Sequence, residues 1–125
     1  MSTARRICVI DDDTFARNAL TLALEDAGYE VIPAPGAAAG FDAVRRNGAD
    51  AIVTDMNMPG TGGAELITQA REAWPKMPII AMSGSNVFGE RPLTEVAKDR
   101  GADAALAKPF AVRELTAVLE KLFGA

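Results

Sequence analysis

The sequence predicts a single α/β domain in which helices cover both faces of a parallel five-stranded sheet. Short apolar runs alternate with segments of helical periodicity along the 125 residues. Three of the runs, 7–10, 51–54 and 79–82, carry no charge and suit strands that are buried on both faces. The length fits one domain with a real core, and we expect residues 1–125 to form it.

The first strand is the apolar run 7–10, which ends on three aspartates at 11–13. Thr14 is placed to cap the helix that follows, and Asp13 is a second candidate for this cap. The apolar side chains of the helix recur at about four-residue spacing. Gly28 then ends this helix as the first residue beyond it. Cys8, the only cysteine, is expected to fill space in the core.

The next strand–helix–strand unit starts at residues 29–33. The proline and the glutamate within that strand favour an edge position. An alanine-rich segment over 37–47 predicts the second helix, which Gly48 ends. Residues 51–54 form the third strand, and this strand leads directly into Asp55.

The chain continues with a helix over 64–73, which Pro75 stops. Residues 78–82 form the fourth strand. A polar loop is predicted over 83–91, and it is longer than the earlier connections. The fourth helix lies near 92–100, with a proline in its first turn.

A short alanine-rich strand over 104–107 and an amphipathic helix over 112–122 complete the domain. The apolar strands belong in the centre, and the proline-bearing and alanine-rich strands belong at the edges. These preferences match the flavodoxin-like strand order 2-1-3-4-5. In that order the ligand site lies between strands one and three, at their carboxyl ends.

Composition excludes several functions. The net charge is −4 and no segment concentrates Lys or Arg, so we expect no nucleic-acid or membrane partner. No apolar run approaches the roughly 18 residues of a membrane span. Histidine is absent, which excludes a Ser-His-Asp triad and a phosphohistidine carrier. A lone cysteine cannot form an internal disulfide, and we expect a cytoplasmic protein.

Polar residues gather where the predicted strands end. Acids follow strands one and three, a hydroxyl follows strand four and a lysine follows strand five; the residues are Asp11, Asp12, Asp13, Asp55, Asn57, Ser83 and Lys108. Crowded carboxylates repel one another, so a proton or a cation must join them. Their hard oxygen ligands suit Mg²⁺. Asp55 would then be an oxygen nucleophile that receives a phosphoryl group.

Four motifs together carry a resemblance to a known family. They are Val-Ile-Asp-Asp-Asp at 9–13, Thr-Asp-Met-Asn-Met-Pro-Gly at 54–60, Ser-Gly at 83–84 and Lys-Pro-Phe at 108–110. In this order and spacing, the chain resembles the receiver domain of two-component response regulators, of the stand-alone type. The resemblance covers residues 5 to 123.

The resemblance implies that Asp55 is the phosphoacceptor and that Ser83 and Lys108 contact the phosphoryl oxygens. The donor would be a phosphohistidine on a histidine kinase or a phosphotransfer protein, and the signal would pass to a downstream protein target. The domain would catalyse its own phosphorylation and dephosphorylation only, and would not be an enzyme in the wider sense. The bond between Lys108 and Pro109 is expected to be cis.

The resemblance also implies a Mg²⁺ site. Asp11 and Asp12 would hold the ion together with Asp55 and the backbone carbonyl of Asn57. This expectation agrees with the ligand chemistry inferred above from the acids alone.

The sequence departs from the family pattern at the residues that usually transmit the signal. Ala105 stands three residues before the lysine, where an aromatic switch residue is usual. Phe88, in the longer loop, is our candidate for part of the missing aromatic's role. Phe15 and Leu22 share a face of the first helix, and two interpretations stay open for them: partial burial under the next loop, or an apolar docking patch for the phosphodonor protein.

Two other functional classes compete with the receiver. A Mg²⁺-dependent phosphatase would need a second acid two positions after Asp55, where Asn57 stands. A phosphorylation-independent interaction module with an idle pocket is the other, and Ala105 is the reason to consider it. The Gly60–Gly63 segment lacks the Gly-Lys-Ser/Thr ending of a nucleotide P-loop.

Overall fold

The computed structural model describes residues 4–58, 62–84, 87–88 and 90–124, with only the backbone at 87 and 88. Strands and helices alternate through these residues, apart from three successive strands before the fourth helix, and the predicted fold class is confirmed. In chain order the elements are β1 (Arg6–Ile10), α1 (Thr14–Asp26), β2 (Glu30–Ala34), α2 (Ala37–Asn47), β3 (Ala51–Asp55), α3 (Gly63–Ala73), β4 (Ile79–Ser83), β5 (Val87–Phe88), β6 (Arg91–Pro92), α4 (Leu93–Arg100), β7 (Ala104–Ala107) and α5 (Val112–Gly124).

One parallel sheet has the strand order β2-β1-β3-β4-β7. Because β7 is the strand that the sequence predicted as the fifth, the predicted order is confirmed. The proline-bearing β2 and the alanine-rich β7 are the edge strands, as expected. Pro33 is paired in register with Val9 on β1, and an edge strand tolerates the missing backbone N–H of a proline on its open side.

Alternate residues of the central strands face two separate hydrophobic clusters, one on each side of the sheet. Ile7 and Val9 pack with α1 and α5 through Leu24, Leu115 and similar side chains. Cys8, as predicted, is buried in the other cluster, which α2, α3 and α4 complete. Coverage of both faces explains why these strands are apolar without interruption.

The structure decides between the two candidate caps of the first helix. Asp13, and not Thr14, is the cap: its carboxylate accepts hydrogen bonds from the backbone N–H groups of Phe15 and Ala16. Thr14 is already the first helical residue. Gly28 follows the helix with φ of 100°, a conformation that glycine adopts without steric cost.

The segment predicted as a loop over 83–91 is partly ordered into β structure. Ser83 is the last residue of β4, and β5 and β6 form a two-residue antiparallel hairpin between β4 and α4. Pro92 belongs to β6 and precedes the helix, so its predicted place in the first helical turn is wrong. Arg91 pairs with Asp99 at 2.6 Å, which ties the hairpin to α4.

Within the described part of the chain, no helix combines the length and the apolar character that crossing a bilayer requires.

Candidate functional site

The carboxyl ends of β1 and β3 bring two acids into one pocket. Asp11 directly follows β1 and is 1% exposed, while Asp55 closes β3 and is 7% exposed. The strands are neighbours in register, with Ile10 opposite Thr54. Adjacent parallel strands end at the same edge of the sheet, so the two carboxylates meet there as the sequence predicted.

Lys108 bridges these two carboxylates. Its ammonium donates to Oδ2 of Asp11 and to Oδ2 of Asp55, and both N···O distances are 2.9 Å. The lysine follows β7, and its backbone N–H donates to the carbonyl of Ser83 at 2.7 Å. The bond between Lys108 and Pro109 is cis, as the resemblance implied.

Two opposing effects act on the Lys108 ammonium. Burial favours the neutral amine and lowers its pKa. The hydrogen bonds to Asp11 and Asp55, with the charges of these carboxylates, raise the pKa by more, and the net result lies above the ordinary value. The pocket therefore holds a fixed positive charge at neutral pH.

Asp12 completes a group of three acids that fits a hard divalent cation. One oxygen from each of Asp11, Asp12 and Asp55 lies within 4.8 Å of the other two. Asp12 is exposed, so this side of the group faces solvent and keeps room for water ligands. Carboxylate oxygens with accessible water are the ligand set that Mg²⁺ prefers.

Asn57 connects the acceptor acid with the serine of the next strand. Its backbone N–H donates to Oδ1 of Asp55 at 2.8 Å, and its side-chain amide donates to Oγ of Ser83 at 2.9 Å. The amide nitrogen is thus engaged with Ser83, and the metal ligand that the resemblance implied for this residue is its main-chain carbonyl oxygen.

The turn that carries the first acids is held by contacts that the sequence analysis missed. Oδ1 of Asp11 accepts a hydrogen bond from the backbone N–H of Asp13, and its carbonyl accepts one from Arg17 at 2.7 Å. The backbone N–H of Asp11 donates to the carbonyl of Ala34 on β2. The available signal for Arg17 was its position, since it is a cation one turn into the helix that follows an acidic run.

Gly63 is a second residue whose role the sequence did not reveal. A Cβ atom on this residue would lie 1.8 Å from the carbonyl oxygen of Asp55. The first turn of α3 therefore approaches the backbone of the acceptor residue at a distance that only glycine permits. The glycine-rich stretch before α3 was the available signal, but spacing alone could not identify this residue.

The predicted partner and switch residues have different outcomes. Phe15 and Leu22 are 87% and 67% exposed, so the expected alternative of partial burial is wrong. Ala105 lies on β7 opposite Ala81, and its methyl group packs against the cluster beneath α4. The side chain of Phe88 lies outside the described residues, and the switch roles of Ala105 and Phe88 stay predictions.

Fold and pocket together define a class of protein. It is a doubly wound α/β domain whose topological switch point holds three acids, a bridging lysine and a hydroxyl. A family model described as "Response regulator receiver domain" matches residues 7–120. The chain belongs to the response regulator receiver domain family.

Curated relatives agree with this assignment. The response regulator MprA of Mycobacterium sp. (strain KMS) is 36% identical over 117 residues, which are 94% of this chain and 50% of the relative. The transcriptional regulatory protein FixJ of Bradyrhizobium diazoefficiens is 37% identical over 120 residues, which are 96% of this chain and 57% of FixJ. The chain thus spans about half the length of these relatives.

Solved structures show the same fold. A CheY-like response regulator receiver domain protein from Methanospirillum hungatei superposes with a TM-score of 0.87 and 29% identity, covering 98% of this chain and 96% of that one. The chemotaxis protein CheY4 of Vibrio cholerae superposes with a TM-score of 0.87 and 25% identity, covering 96% of this chain and 99% of that one.

Because FixJ is named a transcriptional regulator, our expectation that this protein contacts no nucleic acid stays a prediction.

Proposed function

We propose that the chain is a Mg²⁺-dependent phosphoacceptor of a two-component phosphorelay, with Asp55 as the residue that is phosphorylated. The observation that carries the proposal is the bridge from Lys108 to both Asp11 and Asp55, each at 2.9 Å. A lysine held between an acceptor carboxylate and a neighbouring acid is positioned to neutralise charge on an incoming phosphoryl group.

The chemical step is an in-line displacement at phosphorus. A carboxylate oxygen of Asp55 forms the new O–P bond while the N–P bond of the phosphohistidine breaks, and its electron pair stays on the imidazole nitrogen. Lys108 pairs with phosphoryl oxygen, and the hydroxyl of Ser83 donates a hydrogen bond to another. In hydrolysis, water attacks the same phosphorus, the O–P bond to Asp55 breaks, and the electron pair returns to the carboxylate as inorganic phosphate leaves. The domain thus acts only on its own aspartate.

Asp11, Asp12 and Asp55, with the carbonyl of Asn57, are the residues that would hold Mg²⁺. When bound, the ion supplies charge neutralisation for the phosphoryl oxygens. The three acids would hold the ion in place, with Asp11 as a buried ligand and Asp12 as a ligand on the solvent side.

The donor is a histidine kinase or a histidine phosphotransfer protein, and the output is a protein-interaction surface that changes when Asp55 is modified. A groove of about 380 Å³ opens beside Asp11 and Lys108, with Leu20, Met82 and Phe110 among its lining residues. This apolar groove and the exposed face of α1 support docking of a donor next to the acceptor. A cytoplasmic location, which such a relay requires, is part of the proposal.

The test is incubation with acetyl phosphate and Mg²⁺ followed by intact-mass measurement. We expect an adduct of one phosphoryl group that is absent in Asp55→Asn and absent when the metal is chelated. Asp13→Asn is the matched control: it makes the same chemical change in the acidic turn, asparagine caps a helix as well as aspartate does, and the adduct should remain.

Each other outcome favours a different class. An unmodified wild-type protein would favour the phosphorylation-independent interaction module. Rapid release of phosphate over many turnovers without a persistent adduct would favour the phosphatase. An adduct of equal yield in Asp55→Asn would place the acceptor at another residue and overturn the assignment.

A further inference from the structure

The side chain of Arg17 reaches back from α1 to the turn that carries two of the proposed metal ligands. One terminal nitrogen of its guanidinium donates to the main-chain carbonyl of Asp11 at 2.7 Å, in a partly buried position. That carbonyl belongs to the peptide unit that joins Asp11 to Asp12. The contact therefore holds the peptide plane from which the Asp12 residue begins.

The two acids joined by this peptide are held very differently. All four polar groups of Asp11 are engaged by protein groups. The partners belong to Ala34, Asp13, Arg17 and Lys108. The exposed Asp12 carboxylate, by contrast, makes no hydrogen bond or ion pair with another described residue. The place of this carboxylate thus depends on the backbone on either side of it.

Arg17 contacts the backbone on both sides of Asp12. Its own backbone N–H donates to the carbonyl of Asp13 at 2.9 Å, and its guanidinium donates to the carbonyl of Asp11. The first bond belongs to the helix and survives any substitution except proline. The second depends on the arginine side chain alone, so a substitution at position 17 frees only the peptide that precedes Asp12.

We propose that Arg17 is a positioning residue for the Mg²⁺ site, and that it places the Asp12 carboxylate before the ion arrives. Without the guanidinium, the backbone at Asp12 would have to be ordered when the ion binds, and that cost would be subtracted from the binding free energy. The inference rests on the metal site of the proposed function. It adds a residue that sets the affinity of the site without being a ligand.

The expected effect is a fivefold change in affinity. Arg17→Met keeps much of the apolar stem and removes the donor, and it should raise the dissociation constant for Mg²⁺ about fivefold. This change corresponds to about 1 kcal/mol, which is at the low end of the free energy that orders the backbone of one residue. Loss of the positive charge acts in the opposite direction, because the guanidinium repels a cation.

The measurement is a Mg²⁺ titration of the unphosphorylated protein, followed by the ¹H–¹⁵N signals of the backbone amides. About 1 M KCl screens the repulsion between the guanidinium and the ion, since the Debye length is then about 3 Å. Arg71→Met is the matched control. That guanidinium also donates to main-chain carbonyls, but it lies where β4 and β7 begin, at the edge of the sheet opposite the acids. Its removal should leave the dissociation constant unchanged.

A second measurement tests the ordering directly, on the metal-free protein. The backbone amide of Asp12 should have an order parameter of about 0.85 in the wild type and below about 0.6 in Arg17→Met. In Arg71→Met it should keep the wild-type value. An Asp12 amide that is already mobile in the metal-free wild type would overturn the inference without reference to any variant.

The remaining outcomes separate this role from the proposed function. An unchanged or lower dissociation constant in Arg17→Met, an equal rise in Arg71→Met, or an Asp12 amide that stays rigid in Arg17→Met would overturn the inference alone. If the wild-type protein binds no Mg²⁺, the metal dependence of the proposed function fails, and the role of Arg17 fails with it.

Discussion

Replacement of Lys108 by methionine should strongly destabilise the fold. Methionine keeps most of the length and apolar stem of lysine and removes only the ammonium. The side chains of Asp11 and Asp55 are 2% and 10% exposed, so water can replace the cation only in part. The substitution would leave two carboxylates buried at the same edge of the sheet without the charge that offsets their repulsion.

Removal of one member of a buried ion pair costs about 3–5 kcal/mol, because the remaining charge is left uncompensated. Lys108 is itself 28% exposed, which places the pair between a fully buried one and a surface one. We therefore expect Lys108→Met to lower the free energy of unfolding by about 3 kcal/mol in the absence of Mg²⁺. For a domain of this size that is a fall in Tm of roughly 10 °C.

The assay is urea unfolding of wild type and Lys108→Met across alkaline pH. Burial lowers the pKa of Lys108 and the two carboxylates raise it by more, to above the ordinary value of 10.5. A raised folded-state pKa contributes stability that is fully present below pH 10.5 and is lost as the pH rises through the folded value. The difference in the free energy of unfolding between the two proteins should be constant over the alkaline range below pH 10.5 and should shrink above it.

Lys76→Met is the matched control. It makes the same chemical change at an exposed lysine, in the turn between α3 and β4. It should alter stability by less than about 0.5 kcal/mol. A loss in Lys108→Met as small as in this control would refute the reasoning. The reasoning would also be refuted if the difference in the free energy of unfolding between wild type and Lys108→Met stayed constant far above pH 10.5, since the ammonium could not then be its source.

Three further predictions test the packing and the surface. Gly63→Ala should destabilise the domain by roughly 3 kcal/mol in thermal melts, because its Cβ would overlap the carbonyl of Asp55. In the control Gly84→Ala, the new Cβ would have no atom of the described residues within 4 Å, and stability should change by less than about 1 kcal/mol. Arg71→Met should cost about 2 kcal/mol in urea unfolding, because the guanidinium donates to two carbonyls and a carboxylate beyond its own helix turn. Phe15→Ala should slow phosphotransfer from a protein donor and leave the reaction with acetyl phosphate unchanged; equal effects on both donors would reject a docking role.

The fold was predictable because each strand position has a local signature. Apolar runs without charge, such as 79–82, belong inside a sheet that is covered on both faces, and Pro33 marks an edge. Helix starts were less predictable. Asp13 and Thr14 are both good caps on adjacent positions, and only the backbone geometry decides between them. The β5–β6 hairpin was missed because its strands have two residues each, too few for a periodic pattern.

The site was predictable to the extent that strand ends determine it. Every strand of a parallel sheet delivers its last residue to the same edge, so Asp11, Asp55, Ser83 and Lys108 could be grouped from the order of the strands. Contacts that depend on side-chain direction could not be predicted in this way. The bond from Asn57 to Ser83 joins residues 26 positions apart and needs one particular rotamer of the amide.

Lys108 reaches the acids from a strand that does not neighbour the acceptor strand. β7 neighbours β4 and not β3, so the lysine starts two strands away from Asp55, which is about 10 Å at the usual strand spacing. Its ammonium still reaches both carboxylates at 2.9 Å, so its long stem must pass over the end of the strand that lies between. Ser83 ends that strand, and its carbonyl accepts the backbone N–H of Lys108 at 2.7 Å. This backbone bond fixes the point at which the lysine stem begins, so the pairing of the buried acids depends on the end of β4 as well as on the lysine itself.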